Sequence, residues 1–150
     1  MEIVDFHPAL APAFRSLNEA WITRYFALEP KDAEVLDDPQ GKIIDGGGHV
    51  FFLVVEETPV GCCALLAMPD GGFEVAKMAV VEGHKGKGFG RALMEACVAR
   101  AQALGARRLY LETNSSLAPA LSLYRSVGFR DVPPRPTDYA RADVFMELRL

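Results

Sequence analysis

The eight residues from Gly83 to Gly90 include four glycines and two lysines, and Arg91 follows directly. Gly83, Gly86, Gly88 and Gly90 tolerate positive φ and have no side chain to block a close approach, so they can present consecutive N–H groups to one guest. Alanine-rich, helix-like sequence comes next. The first N–H groups of a helix have no intrahelical partner and sit at the positive end of its dipole. With Lys85, Lys87 and Arg91 adding positive charge, the stretch reads as an anion cradle, with phosphate as the natural guest. A dinucleotide-binding fingerprint requires Gly-x-Gly-x-x-Gly, whereas the spacing here is Gly86-x-Gly88-x-Gly90, with no acidic residue at the expected distance beyond. A phosphate-binding P-loop needs Ser or Thr after Gly-Lys, and Gly86-Lys87 is followed by Gly88.

Other reactive residue types are less suggestive. Cys62, Cys63 and Cys97 lie in apolar surroundings, and neighbouring Cys62 and Cys63 would point to opposite faces of a strand, which suits neither a disulfide nor a metal clamp. They read as small core residues. His7, His49 and His84 show no ligand spacing and read as solvent or packing residues, so no metal is expected. The net charge of −4 argues against a broad basic face for nucleic acid but leaves room for a local positive pocket.

These groups must be positioned by a chain of 150 residues, half of them hydrophobic, which is expected to form one domain with a full core. Apolar runs such as Val50 to Val55 are far shorter than the ~18 residues of a membrane span, and Glu2, Asp5, His7 and Pro8 do not resemble a secretory leader. The expectation is a cytoplasmic protein without membrane contact. Glu2 to Phe6 reads as a strand. Leu10, Phe14, Leu17, Trp21 and Tyr25 recur at helical spacing from Pro8 to about Ala27. A short helix is predicted from Lys31 to about Asp38, then a loop through Gly41–His49. Strands at Val50–Glu56, Val60–Met68 and Phe73–Val81, joined by tight turns, form an antiparallel meander. Phe89–Leu104 is a helix ended by Gly105, Arg107–Thr113 a strand, Leu117–Val127 a helix closed by Gly128, and Asp143–Leu150 a last strand. The fold class is mixed α/β, a meander followed by βαβα units.

Two blocks within this order resemble the GNAT N-acetyltransferases. Lys85-Gly86-Lys87-Gly88-Phe89-Gly90 is similar to that family's Gln/Arg-x-x-Gly-x-Gly/Ala turn, with Lys85 in place of the usual Gln or Arg. "LYLETNSSLAPALSLYRSVGF" ends in a Leu-Tyr-x-x-x-Gly-Phe pattern at Leu123, Tyr124, Gly128 and Phe129, and Tyr124 lies 34 residues beyond Gly90. The resemblance implies an acyl-coenzyme A N-acyltransferase fold in which the fourth and fifth strands splay apart, with acetyl-coenzyme A as co-substrate. It places pantetheine along Met78, Ala79 and Val80, chiefly at the backbone of Met78 and Val80. It places pyrophosphate on the N–H groups from Gly86 through Phe89 to Arg91. Strand alternation would put Glu74, Ala76, Met78 and Val80 on one face. The resemblance also implies a coenzyme-contacting asparagine seven residues before Tyr124, where this chain has Leu117; Asn114, Ser115 and Ser116 are the nearby substitutes.

Acetyl transfer requires a neutral amine, whereas a lysine-type amine has a pKa of about 10.4, so a base is needed. The resemblance puts Glu74 at a position where some family members carry a catalytic glutamate; the alternative is a solvated strand-end carboxylate. It makes Tyr124 the acid that protonates the departing thiolate, with the Met78 N–H polarising the thioester carbonyl. The resemblance implies acceptor contacts from the segments that carry Trp21, Arg24, Tyr25, Arg135, Tyr139 and Arg141. Three arginines there suggest a small amine carrying an anion, because guanidinium binds carboxylate with two parallel hydrogen bonds. A peptide or protein amine, a non-catalytic acyl-coenzyme A sensor, and more remotely a nucleotide-binding module are the alternatives, and a homodimer is among the assemblies the resemblance allows.

Overall fold

The computed structural model describes residues 1–83 and 87–150. Seven strands form one sheet: β1 (Glu2–Asp5), β2 (His49–Val55), β3 (Thr58–Ala67), β4 (Phe73–Val80), β5 (Arg108–Thr113), β6 (Arg130–Asp131) and β7 (Val144–Arg149). Their spatial order is β1-β2-β3-β4-β5-β7-β6, and every pairing is antiparallel except β4 with β5. The helices are α1 (Ala11–Tyr25), α2 (Pro30–Asp37), α3 (Phe89–Ala103) and α4 (Ala118–Val127). Among the described residues no helix is long and apolar enough to cross a membrane.

The dense apolar run of β2 follows from burial on both faces of the sheet. Phe51 and Leu53 face one core with Cys63 and Leu65 of β3, closed by Leu93, Met94 and Cys97 of α3 and Leu121 of α4. Val50 and Phe52, with Cys62 and Ala64, face the other, closed by Phe14, Leu17 and Ile22 of α1 and Val35 and Leu36 of α2. The two adjacent cysteines therefore do separate to opposite faces. Cys63 Sγ lies 3.4 Å from Cys97 Sγ, and all three cysteines are free thiols.

Three local features depart from the expectations. Gln40–Ile44, overlapping the segment Gly41–His49 predicted as loop, forms a π-helical turn that buries Ile43 and is tied down by the Gly41 N–H donating to Asp38 Oδ1 at 2.9 Å. The two-residue β6, too short for a sequence pattern, pairs Arg130 and Asp131 with Glu147 and Met146. The third difference shapes the site. In the β3–β4 ladder Cys62 opposes Ala79 and Ala64 opposes Ala76, so β4 spends one more residue than β3 across that interval. Lys77 has φ +54° there. The extra residue is a bulge, and it reverses side-chain alternation beyond it. Phe73, Val75, Met78 and Val80 consequently share the α3–α4 face, while Ala79 joins the α1–α2 core. Met78 and Val80 thus do not share a face with Glu74, contrary to simple alternation.

Beside this bulge β4 leaves its neighbour. Phe73, Glu74 and Val75 pair with Leu109, Tyr110 and Leu111, and the ladder stops there, so the expected splay of the fourth and fifth strands is present.

Candidate active site

The splay opens a cavity that passes through the sheet. Ala76, Lys77 and Met78 line one wall and Glu112, Thr113 and Asn114 the other, with Trp21 of α1 at one end and Tyr124 of α4 at the opposite end. Backbone groups of β4 contribute as much as side chains. The Val81 N–H donates to Val60 O, and Ala79 faces Cys62, so alternation turns the N–H and C=O of Met78 and Val80 toward the edge that β5 has vacated. An extended, amide-bearing molecule could add to that edge as a strand would.

The N-terminus of α3 opens next to the end of β4. Gly88 is its N-cap with φ +77°, a left-handed conformation that glycine adopts without strain, and a Cβ built there would meet no atom within 4 Å. The Ala92 N–H makes its bond to Gly88 O at 3.0 Å, leaving the N–H groups of Phe89, Gly90 and Arg91 at the positive end of a 15-residue helix. Phe89 anchors the turn in the core. Gly90 lies under α4, where an added Cβ would touch Leu123 Cδ2 at 3.5 Å. The Arg91 guanidinium donates to Ser126 Oγ at 2.7 Å and Lys87 is exposed. This arrangement suits a phosphate-bearing ligand. Lys85 and Gly86 of the expected cradle lie outside the described residues.

Asn114 lines the cavity, but its side chain is already used: Nδ2 donates to Arg141 O at 2.7 Å, and Oδ1 accepts from the Ser116 N–H and Oγ at 2.8 and 2.6 Å. Ser115 is held by Asp143 through both its N–H and its hydroxyl. These bonds shape the turn that leads into α4 and thereby place Tyr124.

Glu74 and Tyr124 occupy the two sides of this cavity. Burial, aided by the negative charge of Glu112, pushes the Glu74 carboxyl up to about 7. Glu112 itself accepts hydrogen bonds from Tyr110 Oη at 2.9 Å and from Thr137 Oγ1. Burial also pushes the Tyr124 hydroxyl well above the usual phenol range, so it keeps its proton throughout neutral pH. Its ring packs edge-on against Phe129, centroids 6.1 Å apart, which accounts for the Gly-Phe ending of the motif.

The acceptor-side residues separate into groups. Trp21 and Tyr139 line the cavity, and Tyr25 packs on Trp21 with ring centroids 5.2 Å apart at its half-exposed rim. Arg24 lies outside it, paired with Glu82 at 3.2 Å. Arg135 stacks over Tyr110 at 4.6 Å. Arg141 reaches the cavity, yet its two terminal nitrogens each lie 2.7 Å from an oxygen of Asp32, and Glu29 Oε2 is 3.2 Å away. Lys77, projected by the bulge, donates to Asp32 Oδ1 at 2.7 Å and Tyr139 Oη at 2.9 Å. Burial opposes charge on Asp32, but hydrogen bonds from Arg141 and Lys77 outweigh it and hold the carboxyl at about 2. The arginine argument for an anion-bearing acceptor therefore loses its basis. Arg24 and Arg141 are neutralised by carboxylates of the chain itself, and Arg135 alone is left.

Asp32, Lys77, Glu112 and Asn18 were not singled out from the sequence. Asn18, 1% exposed on α1, donates from Nδ2 to Phe14 O at 3.0 Å and to Cys62 Sγ at 3.3 Å. The available signals were a lysine interrupting the apolar strand "FEVAKMAV" and an acidic residue three positions after Glu29, the pattern of the capping box that does open α2. Among the described residues no cluster of His, Cys, Asp and Glu is placed to hold a metal ion.

Comparison with known proteins agrees with this fold. Residues 11–129 match the model of the Acetyltransferase (GNAT) family. The Escherichia coli (strain K12) protein named Uncharacterized N-acetyltransferase YjgM is 28% identical over 141 residues, covering 89% of this chain and 79% of that protein. A GNAT-family acetyltransferase from Staphylococcus aureus Mu50 superposes with a TM-score of 0.90 at 15% identity, covering 99% of this chain and 98% of that one. The Salmonella typhimurium acetyltransferase yncA, solved with its cofactor acetyl-CoA, gives a TM-score of 0.78 at 20% identity over 99% of this chain and 93% of that one. At those identities the two structural likenesses speak for the fold.

Proposed function

The chain belongs to the GNAT family of acetyl-coenzyme A-dependent N-acetyltransferases, and we propose that it passes the acetyl group directly to a small primary amine held beside the thioester in the splayed cavity. The fit of the coenzyme rests on three features of this chain: the positive N-terminal end of α3, the left-handed Gly88, and the vacated β4 edge at Met78 and Val80. A solved relative of the same fold carries acetyl-CoA. When bound there, the thioester supplies an activated acyl carbon and a thiolate leaving group.

The residues then divide the proton work. Glu74, with a carboxyl near 7, is ionised enough at neutral pH to accept a proton and basic enough to draw one from an ammonium. The Met78 N–H polarises the carbonyl oxygen as negative charge develops on it. Tyr124, kept protonated by burial, gives its proton to the departing sulfur. One observation carries this reading: a single cavity brings Glu74 and Tyr124 together across the splay, at the unpaired edge of the bulge. A passive acyl-coenzyme A sensor would need neither side chain.

The test is amine-dependent release of thiol from acetyl-coenzyme A. We expect turnover that depends on both protein and amine. Tight coenzyme binding with no amine-dependent thiol release across a broad amine panel would leave the sensing role in its place.

A further inference from the structure

The polar groups of the cavity are unevenly satisfied. Its cations are already matched: Lys77 and Arg141 both bind Asp32, and Glu29 adds a second carboxylate to Arg141. The groups left over are hydrogen-bond acceptors. The Phe14 carbonyl and Cys62 Sγ take up both hydrogens of Asn18 Nδ2, which fixes the orientation of the amide, and among the described residues no donor reaches Asn18 Oδ1. The side chain is 1% exposed and lines the cavity. A buried carbonyl oxygen left unpaired is destabilising, so a ligand that supplies an N–H gains what the free protein lacks. Glu74 likewise receives no hydrogen bond from the described residues and faces Glu112 across the start of the splay. Its register partner Tyr110 lies two residues before Glu112 on β5. Arg135 and Lys77 set positive charge beside this pair and Asp138 negative charge; Lys77 is already bound to Asp32, and the Arg135 guanidinium lies over the Tyr110 ring.

A carboxylate-bearing amine entering this space would meet donors already occupied and two carboxylates of like sign. A molecule with two cationic nitrogens would meet the reverse. We propose that the acceptor is a small diamine-type cation: Glu74 faces the reacting nitrogen, Glu112 balances the second positive charge, and Asn18 Oδ1 accepts an N–H from the bound amine. This rests on the acetyl-transfer reading above and deepens it by naming the acceptor's charge.

Three probes sharing a four-carbon chain separate the possibilities: putrescine, butylamine and γ-aminobutyrate. Calorimetric titration of each into the coenzyme A-loaded protein is expected to rank them in that order. Putrescine should bind ~10-fold or more tighter than butylamine, the scale of one charge-assisted hydrogen bond. Glu112→Gln retains the shape, with one oxygen to accept from Tyr110 or Thr137 and an NH2 that can donate to the other hydroxyl, and should bring the two alkylamines to within about 3-fold. On the unaltered protein, raising ionic strength should weaken putrescine more than butylamine, a measurement that stands even if the variant folds poorly. γ-Aminobutyrate binding as well as putrescine, or a putrescine preference insensitive to both salt and Glu112→Gln, would overturn the proposal. Tight putrescine binding without acetyl transfer would uphold the cation-binding pocket and remove the catalytic reading, so the two failures are distinguishable.

Discussion

Lys77 Nζ lies 2.7 Å from Asp32 Oδ1, and the two side chains are only 6% and 0% exposed. This pair joins the β4 bulge to the first turn of α2, and Arg141 extends it to the segment before β7. Three stretches of chain around the cavity are thereby held by one carboxylate.

Removing that carboxylate should be severe. Asp32→Ala leaves Lys77 and Arg141 facing each other without their shared counter-ion, and breaking a buried pair in this way typically costs about 3–5 kcal/mol. Denaturant unfolding should show a loss of that size; a change under ~1 kcal/mol would mean that water replaces the carboxylate. The pH sense is also fixed. The folded carboxyl titrates at about 2, below its unfolded value near 4, so its stabilisation is present above ~4 and is lost as pH falls toward 2. Stability of Asp32→Ala should be correspondingly flatter across that acid range.

Glu74 predicts an acid limb in kcat/KM. Its ionised form is the base and its carboxyl titrates at about 7, so the rate should rise with pH through about 7 and then level off. Glu74→Gln should remove the limb and lower turnover ~100-fold or more. Because the charge of Glu112 helps hold the Glu74 carboxyl up, Glu112→Gln should move the limb to lower pH. An unmoved limb in the glutamine variant of Glu74 would assign the base elsewhere.

Tyr124→Phe should lower turnover by ~10- to 1,000-fold, with coenzyme affinity nearly unchanged, since general acid catalysis is worth ~100- to 10,000-fold and solvent substitutes in part. Equilibrium binding of coenzyme A measured beside steady-state rates separates the two effects. Full activity in the phenylalanine variant would mean that the thiolate leaves unaided.

Gly88→Asp should abolish acetyl-coenzyme A binding, because it adds both left-handed strain and a negative charge at the start of α3. Gly88→Ala carries the strain alone, about 1–2 kcal/mol, and should fold and bind more weakly. Equal coenzyme affinity for both variants would show that the anion does not lie against this turn.

Much of the fold was legible because its signals are local. Glycine spacing before α3, the Pro and Gly turns of the meander, and apolar periodicity at Phe14, Leu17 and Trp21 each depend on a few adjacent residues, and the elements form where those patterns place them. The Tyr124 motif was legible for the same reason. The bulge was not, since Lys77 is neither glycine nor asparagine and only its register against Cys62 and Ala64 reveals φ +54°. The pocket's charge was hidden as well. Arg141 read alone is an anion-binding residue, but folding brings it to Asp32 across 109 positions and to Lys77's partner oxygen in the same carboxylate. Sequence by itself pointed to Glu74 and Tyr124 as candidates and to the turns that expose backbone; tertiary structure decided which charges cancel and which stay open to a ligand, because pairing depends on distances that only the packed sheet and helices set.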